Sequence, residues 1–196
     1  MAGSNPAMRL FIAIDLDAAA RAAIAEEQKR LKAILRDSSR SSIKWVSPDH
    51  MHITLVFLGE VEETRAAALI GDVGRDVAQL PFDLVFGEIG VFPPRGAPNV
   101  LWIGVASGGE PAIALQHELA ARAATHDVRL ESRPFRPHLT LARWRASRAA
   151  DRERALAAVR QGIATLHVDH ATLYQSRLTS AGPTYTALAR ANLCPR

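Results

Sequence analysis

Two segments of the chain carry the same four-residue pattern, HITL at His52–Leu55 and HLTL at His138–Leu141. Side chains of an extended strand alternate faces, so His52 and Thr54 share one side, as do His138 and Thr140. Each pair sets an imidazole beside a hydroxyl. An imidazole titrates near pH 6.5, so around neutrality one ring can accept a proton while another donates one. In-line displacement at phosphorus asks for that division of labour, because the attacking and leaving oxygens lie on opposite sides of the phosphorus atom. Two threonine hydroxyls would donate to the non-bridging phosphoryl oxygens, where charge sits in the transition state. Such a site needs no metal, nucleotide cofactor or protein nucleophile.

Other chemistries have weaker support. His50 and His52 form an HxH on what reads as one strand face, a spacing that can bind a metal. No carboxylate accompanies it at ligand spacing, and Arg136 stands at the equivalent place in the second copy, so no metal site is expected. Cys194 is the only cysteine, which leaves no internal disulfide and no thiolate cluster. His117 falls in a predicted helix and His126 near its end, while His167 and His170 flank a strand start; none is given a chemical role. Gly71 and Gly74 lie within a predicted helix and follow no strand, so they make no phosphate loop. Trp45, Phe57, Trp102 and Trp144 could stack a base, but each reads more simply as core or rim packing.

The two motifs stand 86 residues apart, and the offset recurs elsewhere in the chain. FDLVFGEIG (82–90) lies over VDHATLYQS (168–176), and Gly96 over Gly182, each in a turn before another strand, VLWIGV (100–105) or TYTALA (184–189). Ala-rich helical stretches follow the motifs at about 62–79 and 149–164. LFIAI (10–14) precedes a helix at 18–36, and LWIGV (101–105) one at about 111–126. The reading is an internal repeat of about 9–98 and 99–196 within one bilobal domain, 8–196. The expected fold is α+β: two lobes related by a pseudo-twofold axis, each a mostly antiparallel sheet with helices on its outer face and an active-site cleft between them. VLWIGV would close the first unit and open the second. Residues 1–7 read as a disordered leader or expression remnant. Plain alternation gives Arg136 the same face as His138 and Thr140, but sends Arg143 to the opposite one.

At 196 residues the chain is long enough for a sizeable core. It holds no apolar run of membrane-spanning length and no secretory signal, so a cytoplasmic protein with no membrane association is expected. The net charge of +4 is uneven: residues 1–120 hold 11 Lys and Arg against 15 Asp and Glu, whereas residues 121–196 hold 13 arginines against 5 acids. A half so rich in arginine suits a phosphate-bearing partner, although a solvated loop or Arg-rich codon usage gives the same count.

With these residues in place, the chain resembles the two-histidine (2H) phosphoesterase superfamily, and within it the RNA 2′,3′-cyclic phosphodiesterases, also called 2′-5′ RNA ligases. The resemblance runs from Met8 nearly to the end: RLFIAIDL (9–16), HITLVFLGEV (52–61), VLWIGV, RPFRPHLTLAR (133–143) and LYQSRLTSAGPTYTALAR (173–190). It implies metal-independent, cofactor-free hydrolysis of RNA 2′,3′-cyclic phosphate ends to 2′-phosphomonoesters. His52 would be the proton donor to the departing 3′ oxygen, and His138 the acceptor that activates water. Thr54 and Thr140 would bind phosphate, with Arg143 and Arg136 as further phosphate contacts. Reaction with a 5′-hydroxyl instead of water would give a 2′-5′ linkage. The implied partner is RNA with a cyclic end, tRNA fragments among its sources, and the implied enzyme is a monomer. Tyr185 and Ser176 match family positions, with packing as their simpler role. The competing readings are a relative acting on a small cyclic nucleotide or 2′-5′ oligoadenylate, and a non-catalytic RNA-binding module.

Overall fold

The β-branched and apolar runs around the motifs form strands, and the Ala-rich stretches form helices. A computed structural model describes residues 7–36, 41–180 and 182–195. Residues 1–6, most of the expected leader, lie outside the described residues, and Ala7 is the first residue of β1 (Ala7–Asp15). There follow α1 (Ala18–Ile34), β2 (Ser42–Trp45), a 3₁₀ turn (Pro48–His50), β3 (His52–Glu62), α2 (Glu63–Val73), β4 (Phe82–Phe92) and β5 (Val100–Ser107). The chain continues with α3 (Gly109–Ala124), β6 (His138–Ala146), α4 (Ala149–Ala157), β7 (Ala164–Val168), β8 (His170–Thr179) and β9 (Gly182–Asn192).

Two antiparallel sheets result, ordered β3-β1-β8-β9 and β2-β6-β5-β4-β7. The α+β class matches the expectation, and β5 does pair on both sides, with β4 and β6. The halves of the sequence are nevertheless interleaved. β4, from the first half, joins the second sheet, while β8 and β9 return to the first. A short β4–β5 connection favours a hairpin, which carries β4 across. α1 and α4 lie against the second sheet, and α2 and α3 against the first. Leu10, Ile12 and Ile14 of β1, Ile53, Leu101, Ile103 and Leu139, with Ile24 and Leu31 of α1 and Leu115 and Leu119 of α3, are buried in one core that joins both sheets.

Element ends depart from the sequence reading where tertiary pairing takes the backbone away. α2 stops at Val73, not near 79, and Val77 instead bridges the C-terminal segment: its N–H donates to the Asn192 carbonyl at 2.8 Å, and its carbonyl accepts from Cys194 N–H at 3.0 Å. α4 stops at Ala157, not near 164, because β7 follows and pairs with β4. No helix among the described residues is long and apolar enough to cross a membrane.

Candidate active site

The two sheets touch along the motif strands, where β3 lies against β6. His52 opens β3 and His138 opens β6. In both, the ring is anchored by the residue two places back. His52 Nδ1 lies 2.9 Å from the His50 carbonyl oxygen, and His138 Nδ1 lies 2.7 Å from that of Arg136. A carbonyl only accepts, so each Nδ1 carries the hydrogen and donates, which leaves Nε2 as the proton-exchanging nitrogen of each ring. The sequence reading weighed His50 and Arg136 by their side chains and missed these backbone oxygens; the 86-residue offset was the signal that links them. His50 ends the 3₁₀ turn and is not part of a strand, so the expected HxH on one strand face does not form. Among the described residues, no three His, Cys, Asp or Glu gather into a group that could hold a metal.

Each motif strand then bulges at the same place. On β1 and β3, Ala13 pairs with Thr54 and Ile12 with Val56, so Leu55 is an extra residue. On β5 and β6, Trp102 pairs with Thr140 and Leu101 with Ala142, so Leu141 is extra. An inserted residue reverses the side-chain parity beyond it. Leu55 and Val56 are both buried, as are Leu141 and Ala142, and Phe57 and Arg143 come back to the His/Thr face. This corrects the expectation that Arg143 points away. The second bulge is held from α1: the buried Gln28 side-chain amide donates to the Leu141 carbonyl at 3.2 Å and the Val46 carbonyl at 2.8 Å. Val46 N–H also donates to Leu141, at 2.9 Å.

The surroundings of the two rings differ. Phe11 stacks on His52 with ring centres 4.9 Å apart, and Tyr185 meets it edge-on at 5.4 Å. The His50 ring also packs on Tyr185, at 5.3 Å. Asp15 stands opposite His52 in the ladder, its carboxylate accepting from the Thr172 hydroxyl and the Tyr174 hydroxyl, each at 2.7 Å. Burial, reinforced by Asp15, pushes the Tyr174 hydroxyl up to about 12. Burial lowers the pKa of His52 below its ordinary value, against the bond to the His50 carbonyl and the negative charge of Asp15, which both raise it.

His138 meets the edges of Phe92 and Trp102, at 5.3 and 6.0 Å, and faces Gly104 where His52 faces Asp15. Trp102 lies flat over Gly90, where a Cβ would come within 2.1 Å of the indole, so only glycine fits there. Arg143, on β6, also reaches the first sheet electrostatically. Burial pushes the Tyr185 hydroxyl up, and the Arg9 and Arg143 charges oppose that. Arg136 is exposed in the segment before β6. Of the remaining histidines, His117 is exposed on α3, His126 pairs with Asp72 and His167 with Asp83, each at 2.7 Å, and His170 pairs with Asp169. Ser176 pairs with Tyr185 in the β8–β9 ladder.

The profile of the 2′-5′ RNA ligase superfamily matches residues 17–179, a span that contains both motif strands. A protein of Archaeoglobus fulgidus named RNA 2′,3′-cyclic phosphodiesterase is 34% identical over 92% of this chain and 98% of its own length. One of the same name from Methanothermobacter thermautotrophicus is 33% identical over 91% and 95%. The crystal structure of E. coli LigT complexed with 3′-AMP superposes with a TM-score of 0.76 at 31% identity, covering 96% of this chain and 99% of that one. With both motif strands inside the matched span and a third of residues shared along nearly the whole length, the chain belongs to the 2′-5′ RNA ligase superfamily.

Proposed function

We propose that this protein hydrolyses the 2′,3′-cyclic phosphate ends of RNA to 2′-phosphomonoesters, with no metal in the reaction. The observation that carries the reading is the duplicated anchor: two histidines, each donating Nδ1–H to a backbone carbonyl two residues back, each left with Nε2 for proton transfer. The names of the relatives supply the substrate class. His138 Nε2 takes a proton from water as its oxygen attacks phosphorus. The bond from phosphorus to O3′ breaks, and His52 Nε2–H gives its proton to that oxygen, leaving the phosphate on O2′. The Thr54 and Thr140 hydroxyls donate to the non-bridging oxygens, and Arg143 supplies positive charge on the same face. Assignment of acid and base to particular histidines follows the family resemblance.

The lowered pKa of His52 makes it a readier donor at the cost of a smaller protonated population near neutrality, and Asp15 limits that cost. A 5′-hydroxyl in place of water would give a 2′-5′ linkage from the same cyclic phosphate, without ATP. Both motif strands come from one chain, so a monomer suffices. Cytoplasmic RNA, tRNA fragments included, would present such ends.

The test is hydrolysis of a short RNA with a 2′,3′-cyclic end, in EDTA, by wild type, His52→Ala and His138→Ala. The expected result is wild-type turnover to the 2′-phosphate and its loss in both variants. A 3′-phosphate product, or full activity in either variant, would overturn the mechanism. Turnover of small cyclic nucleotides or 2′-5′ oligoadenylate in preference to the RNA end would move the substrate to those classes, and binding of RNA without turnover would make the protein a binder.

A further inference from the structure

The second sheet continues past the motif strand on the same face, with residues that the proposed hydrolysis does not use. Across the ladder from His138 stand Gly104 on β5 and then Glu88 on β4; across from Thr140 stand Trp102 and then Gly90. Residues directly opposite one another share a face. The two glycines let the indole lie flat on the sheet. Its Cζ2 is 2.1 Å from where a Cβ on Gly90 would stand, and its Cζ3 is 2.8 Å from the same point on Gly104. Phe92 packs on the indole with ring centres 5.2 Å apart, and both rings border His138. The Trp102 Nε1–H is buried with no acceptor among the described residues, a position that packing alone does not favour. Glu88 is exposed, and its carboxylate enters no hydrogen bond or ion pair with another described residue. Its Oε2 leans over β5, 3.2 Å from the point that a Gly104 Cβ would occupy. A free carboxylate and a pair of rings thus converge on Gly104, one strand away from His138.

That combination suits a ribonucleoside. Carboxylates accept hydrogen bonds from ribose hydroxyls, and aromatic rings stack on any base. Neighbouring strands are about 4.8 Å apart, so a carboxylate over β5 stands about one sugar ring from the His138 strand. A ribose lying over Gly104 would reach Glu88 with its cis hydroxyls and His138 with its 5′ oxygen, its base against Trp102 and Phe92. The polarity of the proposed reaction gives this side its occupant. The departing O3′ takes its proton from His52, so the nucleophile arrives beside His138, and water needs neither a ring nor a carboxylate. A 5′-hydroxyl there would give its proton to His138 Nε2 as its oxygen bonds to phosphorus. The bond from phosphorus to O3′ breaks, O3′ takes the proton of His52 Nε2, and a 2′-5′ diester results.

We propose that Trp102, Phe92 and Glu88 form a subsite for a ribonucleoside with a free 5′-hydroxyl, which replaces water as the nucleophile; the assignment rests on the reaction polarity proposed above. A short cyclic-ended RNA is incubated in EDTA with rising concentrations of adenosine, of 2′,3′-dideoxyadenosine or of methyl β-D-ribofuranoside. The readout is the ratio of 2′-5′-linked product to 2′-phosphate, in which overall activity cancels. In wild type, adenosine should divert product at about tenfold lower concentration than either partial acceptor. Glu88→Ala should weaken adenosine about tenfold and spare dideoxyadenosine, while Trp102→Leu should weaken adenosine about tenfold and spare the base-free riboside. Equal partition of the three acceptors in wild type, or equal losses for all of them in both variants, would overturn the subsite. Hydrolysis with no diversion by any acceptor overturns the subsite and keeps the reaction. Adenosine binding is measured by calorimetry on the same samples, which decides the case in which wild type turns nothing over. Weaker binding in Glu88→Ala then keeps the nucleoside site and rejects the reaction, and unchanged binding rejects both.

Discussion

Strands β3 and β6 share a motif, a carbonyl anchor on the histidine and a bulge after the threonine, yet their surroundings have diverged. His52 lies under Phe11 and Tyr185 with Asp15 across the ladder; His138 meets the edges of Phe92 and Trp102 with Gly104 across from it. The backbone features fix the tautomer and direction of both rings, and they are the part that the two strands have in common. Neighbouring side chains set how readily His52 holds a proton, and the rings and ladder partners around the two histidines are where the strands part company. Two strands of like backbone thus hold two histidines in unlike surroundings.

The largest effects should come from removing either ring. His52→Ala and His138→Ala should each lower kcat/KM on a cyclic-ended RNA by about 10²–10⁴-fold, the range of general acid and base catalysis. Their equivalence should then break with the leaving group. A substrate with sulfur in place of O3′ expels a thiolate that needs little protonation, so it should rescue His52→Ala and not His138→Ala. Rescue of His138→Ala instead would exchange the two roles.

The threonines should keep the comparison symmetrical. Thr54→Val and Thr140→Val preserve shape and remove one hydroxyl donor each, for about 10²-fold in kcat, while Thr→Ser at either position should retain most activity. Loss at one position only would mean that the phosphoryl oxygens lean on a single sheet. A smaller effect should separate the two bulges. Gln28→Leu takes one of two donors from the Leu141 carbonyl, at a cost of about 1–3 kcal/mol in stability by urea unfolding. Activity should fall further because Arg143 depends on that bulge. Unchanged stability would show that Val46 N–H suffices.

Much of this arrangement was legible in the sequence, because motif spacing and apolar periodicity are local properties. The His/Thr pairs, the main strands and the Ala-rich helices follow from such signals. Arg143 was misplaced because a bulge is a relation between strands: nothing in HLTLAR marks Leu141 as the residue that Leu101 and Trp102 skip. β2 and β7 were missed for a related reason, being four or five residues long and defined by the neighbours that they pair with. The offset of 86 pointed to a repeat but carried no information on which strands pair, so the exchange of β4 against β8 and β9 became visible only in the sheet order.

Asp15→Asn should give the smallest change and the most specific one, because it removes a charge from one repeat only. Asp15 raises the pKa of His52 against the lowering by burial, so its loss should send that pKa further down. One limb of the pH–rate profile, the limb set by His52, should move to lower pH while the other stays. Tyr174 should titrate lower in the same variant, since Asp15 adds to the effect of burial on its hydroxyl. Stability follows the same sign. Folding lowers the pKa of His52, so the unfolded chain binds more protons, and this contribution is lost as pH falls below about 6.5. Asp15→Asn should deepen that acid-side loss, read as a lower Tm in mildly acidic buffer than at neutrality. A profile in which both limbs move together would mean that Asp15 acts on the site as a whole, and the difference between the two histidines would then have to come from Phe11 and Tyr185, the rings that bury one of them.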